Sequence, residues 1–271
     1  MTSTPEVTDD TLRRAILDGL VTYKVQPILD ARTGRLTAGE ILARWQSPDV
    51  VGEELLTTGD HLKELCLLEW EEPFQSKLWQ QKRTVTTALH SEANSRTYFN
   101  FVPEVLLDDH RWTNVRRVVS ADSAFFSSLV LEVSEMNLFN SNQGMLDRAA
   151  ERTMQLQTMA PGLQIVLDDF GTGLNNLSRL RYWNVSGIKL DRRLVANIDA
   201  DPKAQTIASH LQQMTSDLNI QLIAEGVETQ REEATLLELG VFLHQGFLRG
   251  APMALDELLS RDFSRENSGD H

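Results

Sequence analysis

The 271 residues predict an α/β chain folded as a (β/α)8 barrel of the TIM type, and two observations carry that reading. Eight short runs rich in β-branched and aliphatic residues are spread along the chain. From the third onward they alternate with longer segments of helical spacing, the rhythm of βα units around a parallel sheet. The second observation is where the polar residues fall: nearly every run ends on one, and most are acidic.

Taken in order, the strand runs are VTYKVQPIL (21–29), RLTAGEILARW (35–45), TYFNFV (97–102), SLVLEVSE (128–135), LQIVLDD (163–169), VSGIKLD (185–191), IQLIAEG (220–226) and VFLHQGF (241–247). Helical spacing is clearest in LDRAAERTMQLQTM (146–159), KAQTIASHLQQMTSDL (203–218) and REEATLLELG (231–240). Thr229 followed by Glu232 forms a capping-box pattern before Ala234, Leu237 and Leu239, and Gly240 stands where that helix should stop. No low-complexity linker interrupts the chain. The expectation is one domain over 8–263, with a disordered polar tail at 264–271.

Composition narrows the function. A hydrophobic content of 41% can bury a large core, and a formal net charge of −13 argues against a surface that tracks a nucleic-acid polymer. Cys66 is the only cysteine, so neither an intrachain disulfide nor a cysteine-based zinc site can form; we expect it to be a buried filler. The start MTSTPEVTDDTLRR lacks the basic and apolar regions of a signal peptide, and no 18-residue apolar run occurs. The expectation is a cytoplasmic protein with no membrane insertion.

A TIM-type barrel should carry its functional residues at the C-terminal ends of its strands. Reading each run to its end gives Glu40, Asn100, Glu132, Asp168 with Asp169, Lys189, Glu225 and Gln245. A charge in an apolar strand costs several kcal/mol unless it is paired or metal-bound, so charges on several strands together point to a site. Carboxylates and an amide oxygen are hard ligands suited to Mg²⁺, Mn²⁺ or Ca²⁺. Two such ions about 3.5–4 Å apart would neutralise the carboxylates and ready a water for in-line attack on a phosphodiester. Lys189, the lone cation of the set, would orient that water or stabilise charge on phosphorus.

Singly, these residues read as commonplace. Asp168 and Asp169 resemble an acidic loop start before glycine, Glu40 a surface glutamate on an edge strand, and Lys189 with Asp191 a solvated ion pair. Arg44 and Trp45 could pack at a barrel end, and Glu228 could be a helix-start acid. His61, His90, His110, His210 and His244 show no metal-ligand spacing, and FGTG falls short of a dinucleotide-binding glycine pattern. Only the constellation outweighs these readings.

Several ordered motifs carry a resemblance. Gln26-Pro27, Glu40-Ile41-Leu42-Ala43-Arg44-Trp45, Asp168-Asp169-Phe170-Gly171-Thr172-Gly173, Ile188-Lys189-Leu190-Asp191 and Ala224-Glu225-Gly226-Val227-Glu228-Thr229 resemble the motifs of EAL domains, bacterial phosphodiesterases that open cyclic di-GMP. The resemblance spans nearly the whole chain. It implies a barrel whose first strand runs antiparallel, and hydrolysis of cyclic di-GMP to linear pGpG. It implies two divalent cations, Mg²⁺ or Mn²⁺, with Ca²⁺ inhibitory. The metal ligands it implies are Glu40, Asn100, Glu132, Asp168, Asp169 and Glu225, with Lys189, Glu225 and Glu40 as the catalytic set. Gln26, Arg44, Asp191 and Gln245 match substrate-binding positions, while Glu135 and Glu228 match anchors and supports of the loop after the fifth strand. A homodimer through the barrel, and an unidentified regulatory protein, are the implied partners.

The sequence also departs from the family pattern. Ile41 replaces the usual alanine; by strand alternation it should face away from Glu40 and alter packing only. Phe101-Val102 and Leu174-Asn175-Asn176 differ beside the site, and residues 47–80 lack the family pattern in a region that helps to hold a guanine base. No GGDEF-type or receiver-type segment is read, so a stand-alone EAL unit is expected. Two functions therefore stand at the level of sequence: the phosphodiesterase, and a catalytically silent EAL-type receptor or protein-docking module. A different metal-dependent hydrolase on the same barrel is a third, since fold alone does not assign chemistry.

Overall fold

The computed structural model describes residues 9–46, 53–55, 59–134, 143–171 and 177–263. In chain order the strands are β1 (Val21–Asp30), β2 (Arg35–Gln46), β3 (Glu53–Leu55), β4 (Arg96–Phe101), β5 (Leu129–Ser134), β6 (Gln164–Phe170), β7 (Gly187–Leu190), β8 (Gln221–Ala224) and β9 (Leu243–His244). The helices are α1 (Asp9–Asp18), α2 (Gly59–Leu68), α3 (Glu72–Ala93), α4 (Glu104–Leu107), α5 (Asp109–Ala121), α6 (Ser123–Ser127), α7 (Gln143–Met159), α8 (Ser178–Tyr182), α9 (Arg192–Val195), α10 (Pro202–Asp217), α11 (Gln230–Glu238) and α12 (Leu255–Ser260).

Eight strands close a barrel in the order β1-β2-β4-β5-β6-β7-β8-β9, with β9 pairing back onto β1 and β3 extending β2 on its outer edge. β1 runs antiparallel to both neighbours, whereas every pairing from β4 round to β9 is parallel. Its direction follows from the chain: only Ala31 to Gly34 join β1 to β2, and a parallel crossover needs a dozen or more residues. The three residues of β3 carry no β-rich signature and were not among the expected strands.

The pleat divides the side chains between two cores. Ile28, Ala38, Tyr98, Val130, Val166 and Ile223, with Leu243 against them, fill the barrel interior. The intervening positions Val25, Ile41, Phe99, Leu131, Leu167, Ile188 and Ala224 face outward into the layer between strands and helices. Ile41 thus lies on the opposite face from Glu40, as alternation requires. In that outer layer Trp70 meets Trp79 edge-on at 5.0 Å, and Cys66 is buried with its Sγ 3.5 Å from the Asn100 carbonyl.

The helix signals read in the sequence reappear. Thr229 accepts from the Glu232 amide while the Glu232 carboxylate accepts from the Thr229 amide, a closed capping box at the start of α11. The chain turns out of α11 at Gly240, whose amide reaches the Leu237 carbonyl.

Candidate metal centre at the barrel mouth

One pleat layer above the apolar interior lies a polar ring, and the offset is two residues on strand after strand. Ala38 leads to Glu40, Tyr98 to Asn100, Val130 to Glu132, Val166 to Asp168, Ile223 to Glu225 and Leu243 to Gln245. On β1 the count runs backward, from Ile28 to Gln26, because that strand is reversed. Lys189 rises from β7 above Gly187, which contributes no side chain below it.

Lys189 is 1% exposed and stands among four carboxylates. Its Nζ lies 2.5 Å from Glu132 Oε1, 2.6 Å from Glu225 Oε1, 3.1 Å from Glu40 Oε2 and 3.8 Å from Asp168 Oδ1. Burial alone would discharge the ammonium, but the carboxylates, Glu132 first, hold its pKa well above the ordinary lysine value. One positive charge does not balance four negative ones. Burial, and then the Glu40 charge, push the Glu132 carboxyl well above the usual range. Burial likewise lifts Glu225 to about 8 despite Lys189.

Glu40 behaves oppositely. Burial would raise it, yet Lys189 and the Gln245 amide, whose Nε2 donates to Oε2 at 2.6 Å, bring it below the usual value. Asn100 Nδ2 donates to the other oxygen at 3.2 Å. Gln245 Nε2 also reaches Gln26 Oε1 at 3.2 Å, and Gln26 Nε2 donates to the Gly250 carbonyl, so Gln26 joins the site through Gln245.

Asp168 and Asp169 are consecutive, and alternation would send them to opposite faces. The strand resolves this by a break: pairing between β6 and β7 skips from Leu167 to Phe170, and Asp169 takes a left-handed φ of 55°. The Asp169 amide then donates to Asp168 Oδ1 at 3.0 Å. Gly171 follows at φ 106°, where a Cβ would stand 2.5 Å from the Leu194 side chain, so this turn requires glycine. Burial, the Asp168 charge and a hydrogen bond shared with Asp191 raise Asp169 to about 7. Asp191 also caps α9, accepting from the Arg193 amide at 2.6 Å and its Nε at 3.1 Å.

The donor set fits divalent cations. Oxygens of Asp168, Asp169 and Glu225 all lie within 4.8 Å of one another, close enough to share one ion at hard-cation distances of roughly 2.0–2.6 Å. Both Glu132 oxygens are buried; Lys189 Nζ lies 2.5 Å from Oε1, and Oε2 has no hydrogen-bond donor. Orphaned buried carboxylate oxygens are costly in a finished core and suited to a metal ligand.

The remaining expected residues lie further out. Arg44 is four residues along β2 from Glu40, roughly 13 Å at about 3.3 Å per residue, and is buried with Nη1 donating to the Ala43 carbonyl at 2.8 Å. Glu228 pairs with Arg192 at 2.8 Å on the loop beyond β8. Glu135, the segment 172–176 that holds Asn175-Asn176, and residues 47–52 and 56–58 of the divergent segment lie outside the described residues. Site-level reading of the sequence missed a second role for Glu232. Its carboxylate accepts from the amides of Asn197, Glu228 and Thr229 and so ties the loop after β8 to the turn after α9; the capping-box pattern was its only signal.

Comparison with known proteins gives a concordant result. The family model described as "EAL domain" matches residues 9–252. The chain is 29% identical over 249 residues to cyclic di-GMP phosphodiesterase PdeR of Escherichia coli, covering 90% of this chain and 36% of that protein. It is 30% identical over 256 residues to the bifunctional diguanylate cyclase/cyclic di-GMP phosphodiesterase MucR of Pseudomonas aeruginosa, covering 92% and 35%. The chain therefore spans about a third of the length of these relatives. Among solved structures, the PaMucR phosphodiesterase in complex with cyclic di-GMP superposes with a TM-score of 0.72 at 25% identity, covering 92% of this chain and 98% of that one.

Proposed function

Since the chain belongs to the EAL-domain family, we propose that it hydrolyses cyclic di-GMP to linear pGpG at the C-terminal mouth of its barrel. The observation that carries the proposal is the complete acidic set around Lys189, with both Glu132 oxygens buried and Oε2 without a donor. Glu40, Asn100, Glu132, Asp168, Asp169 and Glu225 would hold two divalent cations, Mg²⁺ or Mn²⁺, and Ca²⁺ would bind without supporting turnover. When bound, these ions supply charge neutralisation and a water of lowered pKa for in-line attack.

The protein's own groups do the rest. Lys189, between Glu132 and Glu225, donates to the attacking water and to the phosphoryl oxygens as negative charge grows there. Glu225 and Glu40 orient that water, and Gln245 fixes Glu40 by holding one of its oxygens. Arg44 and Asp191 contact substrate further along the mouth, joined by Gln26 of β1 and by Gln245 just after β9. Glu135 and Glu228 support the loop after β6, with Arg192 fixing Glu228. Residues 8–263 act as one catalytic unit in a cytoplasmic protein that pairs with a second copy and answers to a regulatory partner. Among the described residues no helix is long and apolar enough to cross a membrane.

Chromatography of products after incubation with cyclic di-GMP and Mn²⁺ tests this reading. Metal-dependent pGpG should appear, and Glu40→Gln should lower its rate by ~10²-fold or more, the scale for removing one group that organises transition-state charge. Tight binding with the nucleotide left intact would overturn it in favour of the silent receptor.

A further inference from the structure

The barrel has a second mouth, at the end opposite the acidic ring. A cavity of about 500 Å³ opens there beside the β1–β2 turn, and three of its lining residues are Arg32, Arg35 and Arg96. Its inner wall includes Ala38 and Tyr98 of the interior layer. Asn94, Gln164, Gln212 and Gln221 also line it. Residues on this face of a TIM-type barrel ordinarily serve stability. Here the face also gathers an excess of positive charge.

Asp30 is the only carboxylate in the lining, and Arg32 already uses it: Nη2 lies 2.7 Å from Oδ2, Nε 3.0 Å from Oδ1, and the guanidinium covers the Phe242 ring at 4.1 Å. Arg96 is held only by neutral groups in its hydrogen bonds, with Nη1 donating to the carbonyls of Gly162 at 3.0 Å and Ser127 at 3.4 Å. The exposed Arg35 acts on Asp30 only at longer range, and that carboxylate is already engaged by Arg32. In a chain of net charge −13, three arginines thus share a single carboxylate around one cavity.

We propose that this cavity is a binding site for a small phosphate monoester of mononucleotide size. The charge matches, because a phosphate monoester carries about −1.5 to −2 at neutral pH. The geometry matches as well, since guanidinium forks pair with phosphate oxygens in a bidentate way. The volume lies within the roughly 300–1,000 Å³ of small-molecule sites, and four amides offer paired donors and acceptors to a base or sugar. The site is separate from the metal centre: Tyr98, in register with Glu40 on the neighbouring strand, stands between the two.

Calorimetric titration of the full chain with 5′-AMP at low salt in excess EDTA tests the proposal. Chelation leaves the opposite mouth a cation-free cluster of carboxylates that repels the probe. Saturable binding at one site per chain is expected, weakened about tenfold or more by Arg35→Glu through loss of a charge-assisted contact. Arg116→Glu, an equal charge change on the exposed surface of α5, should leave binding unaltered. Inorganic phosphate should bind more weakly than 5′-AMP, because it leaves the amide-lined part of the cavity empty. Absence of saturable 5′-AMP binding, or undiminished binding by a folded Arg35→Glu, overturns the site.

Discussion

Asp169 combines a left-handed backbone with a carboxyl that titrates at about 7, and each property has its own test. Asparagine tolerates that backbone as well as aspartate does, so Asp169→Asn should fold without added backbone strain. It should nevertheless lose cation affinity in calorimetry by no less than the roughly 10–100-fold that removal of an outer-shell partner costs. Asp169→Val adds about 1–3 kcal/mol of backbone strain and should melt earlier. The raised pKa values make a second prediction. In the metal-free protein Asp169 titrates at about 7 and Glu225 at about 8, against ordinary values of 3.8 and 4.5. Between each pair of values the folded chain holds a proton that the unfolded chain has lost. The stability these groups contribute is therefore full below the ordinary values and is lost as pH rises through 7 and 8. Thermal melts in EDTA should fall from mildly acidic to mildly alkaline pH, and saturating Mg²⁺ should remove the decline while releasing protons. A metal-free melting temperature that climbs steadily over that range would contradict the assignment. The ring itself was legible in the sequence, since Glu40, Glu132, Asp168, Lys189 and Glu225 each interrupt an apolar run. The turn of φ at Asp169 was not, because aspartate is compatible with either backbone region.

Strands and helices explain why so many ligands converge. Each parallel strand presents a small or apolar residue inward and, two positions later, a polar one, so closing the barrel stacks a polar ring on an apolar plug. β1 takes part with its count reversed, and the brevity of the β1–β2 turn made that direction inevitable. α11 holds the loop after β8 in place. Thr229→Ala should cost about 1 kcal/mol in chemical denaturation, the usual value of an N-cap. Glu232→Ala should cost more than Thr229→Ala, because it strips the acceptor from three amides, those of Asn197, Glu228 and Thr229. Equal losses in the two variants would show that Glu232 serves the cap alone. The capping box was readable because its partners sit three residues apart. The latch to Asn197 spans 35 residues and depends on how α9 and α11 meet, which no local pattern encodes. The same reason hid the arginines of the opposite mouth, where Arg96 joins Arg32 and Arg35 only through the pairing of β4 with β2.

At the scale of the whole molecule, an apolar surface on the flank of the barrel lacks cover among the described residues. Leu177 is 58% exposed, Tyr182 53% and Leu218 49%, and Leu177 and Leu218 border a groove of about 580 Å³ between α8 and the end of α10. Contiguous exposed apolar residues mark contact surfaces more often than solvent faces. A second copy of the chain is the occupant expected here, because two copies of one such patch can bury each other by a two-fold operation and close the assembly. The position also matters for chemistry: Leu177 comes eight residues after Asp169, so whatever grips α8 grips the far end of the segment that leaves the metal centre. Sedimentation at micromolar concentration should show a dimer. Leu218→Glu places a charge in the proposed contact at a position already half exposed, so it should yield monomers with an unchanged melting temperature in dilute solution. Phosphodiesterase activity should fall as dimerisation is lost and return in part at high protein concentration. A wild-type monomer, or a Leu218→Glu protein that still dimerises, would move the pairing surface elsewhere.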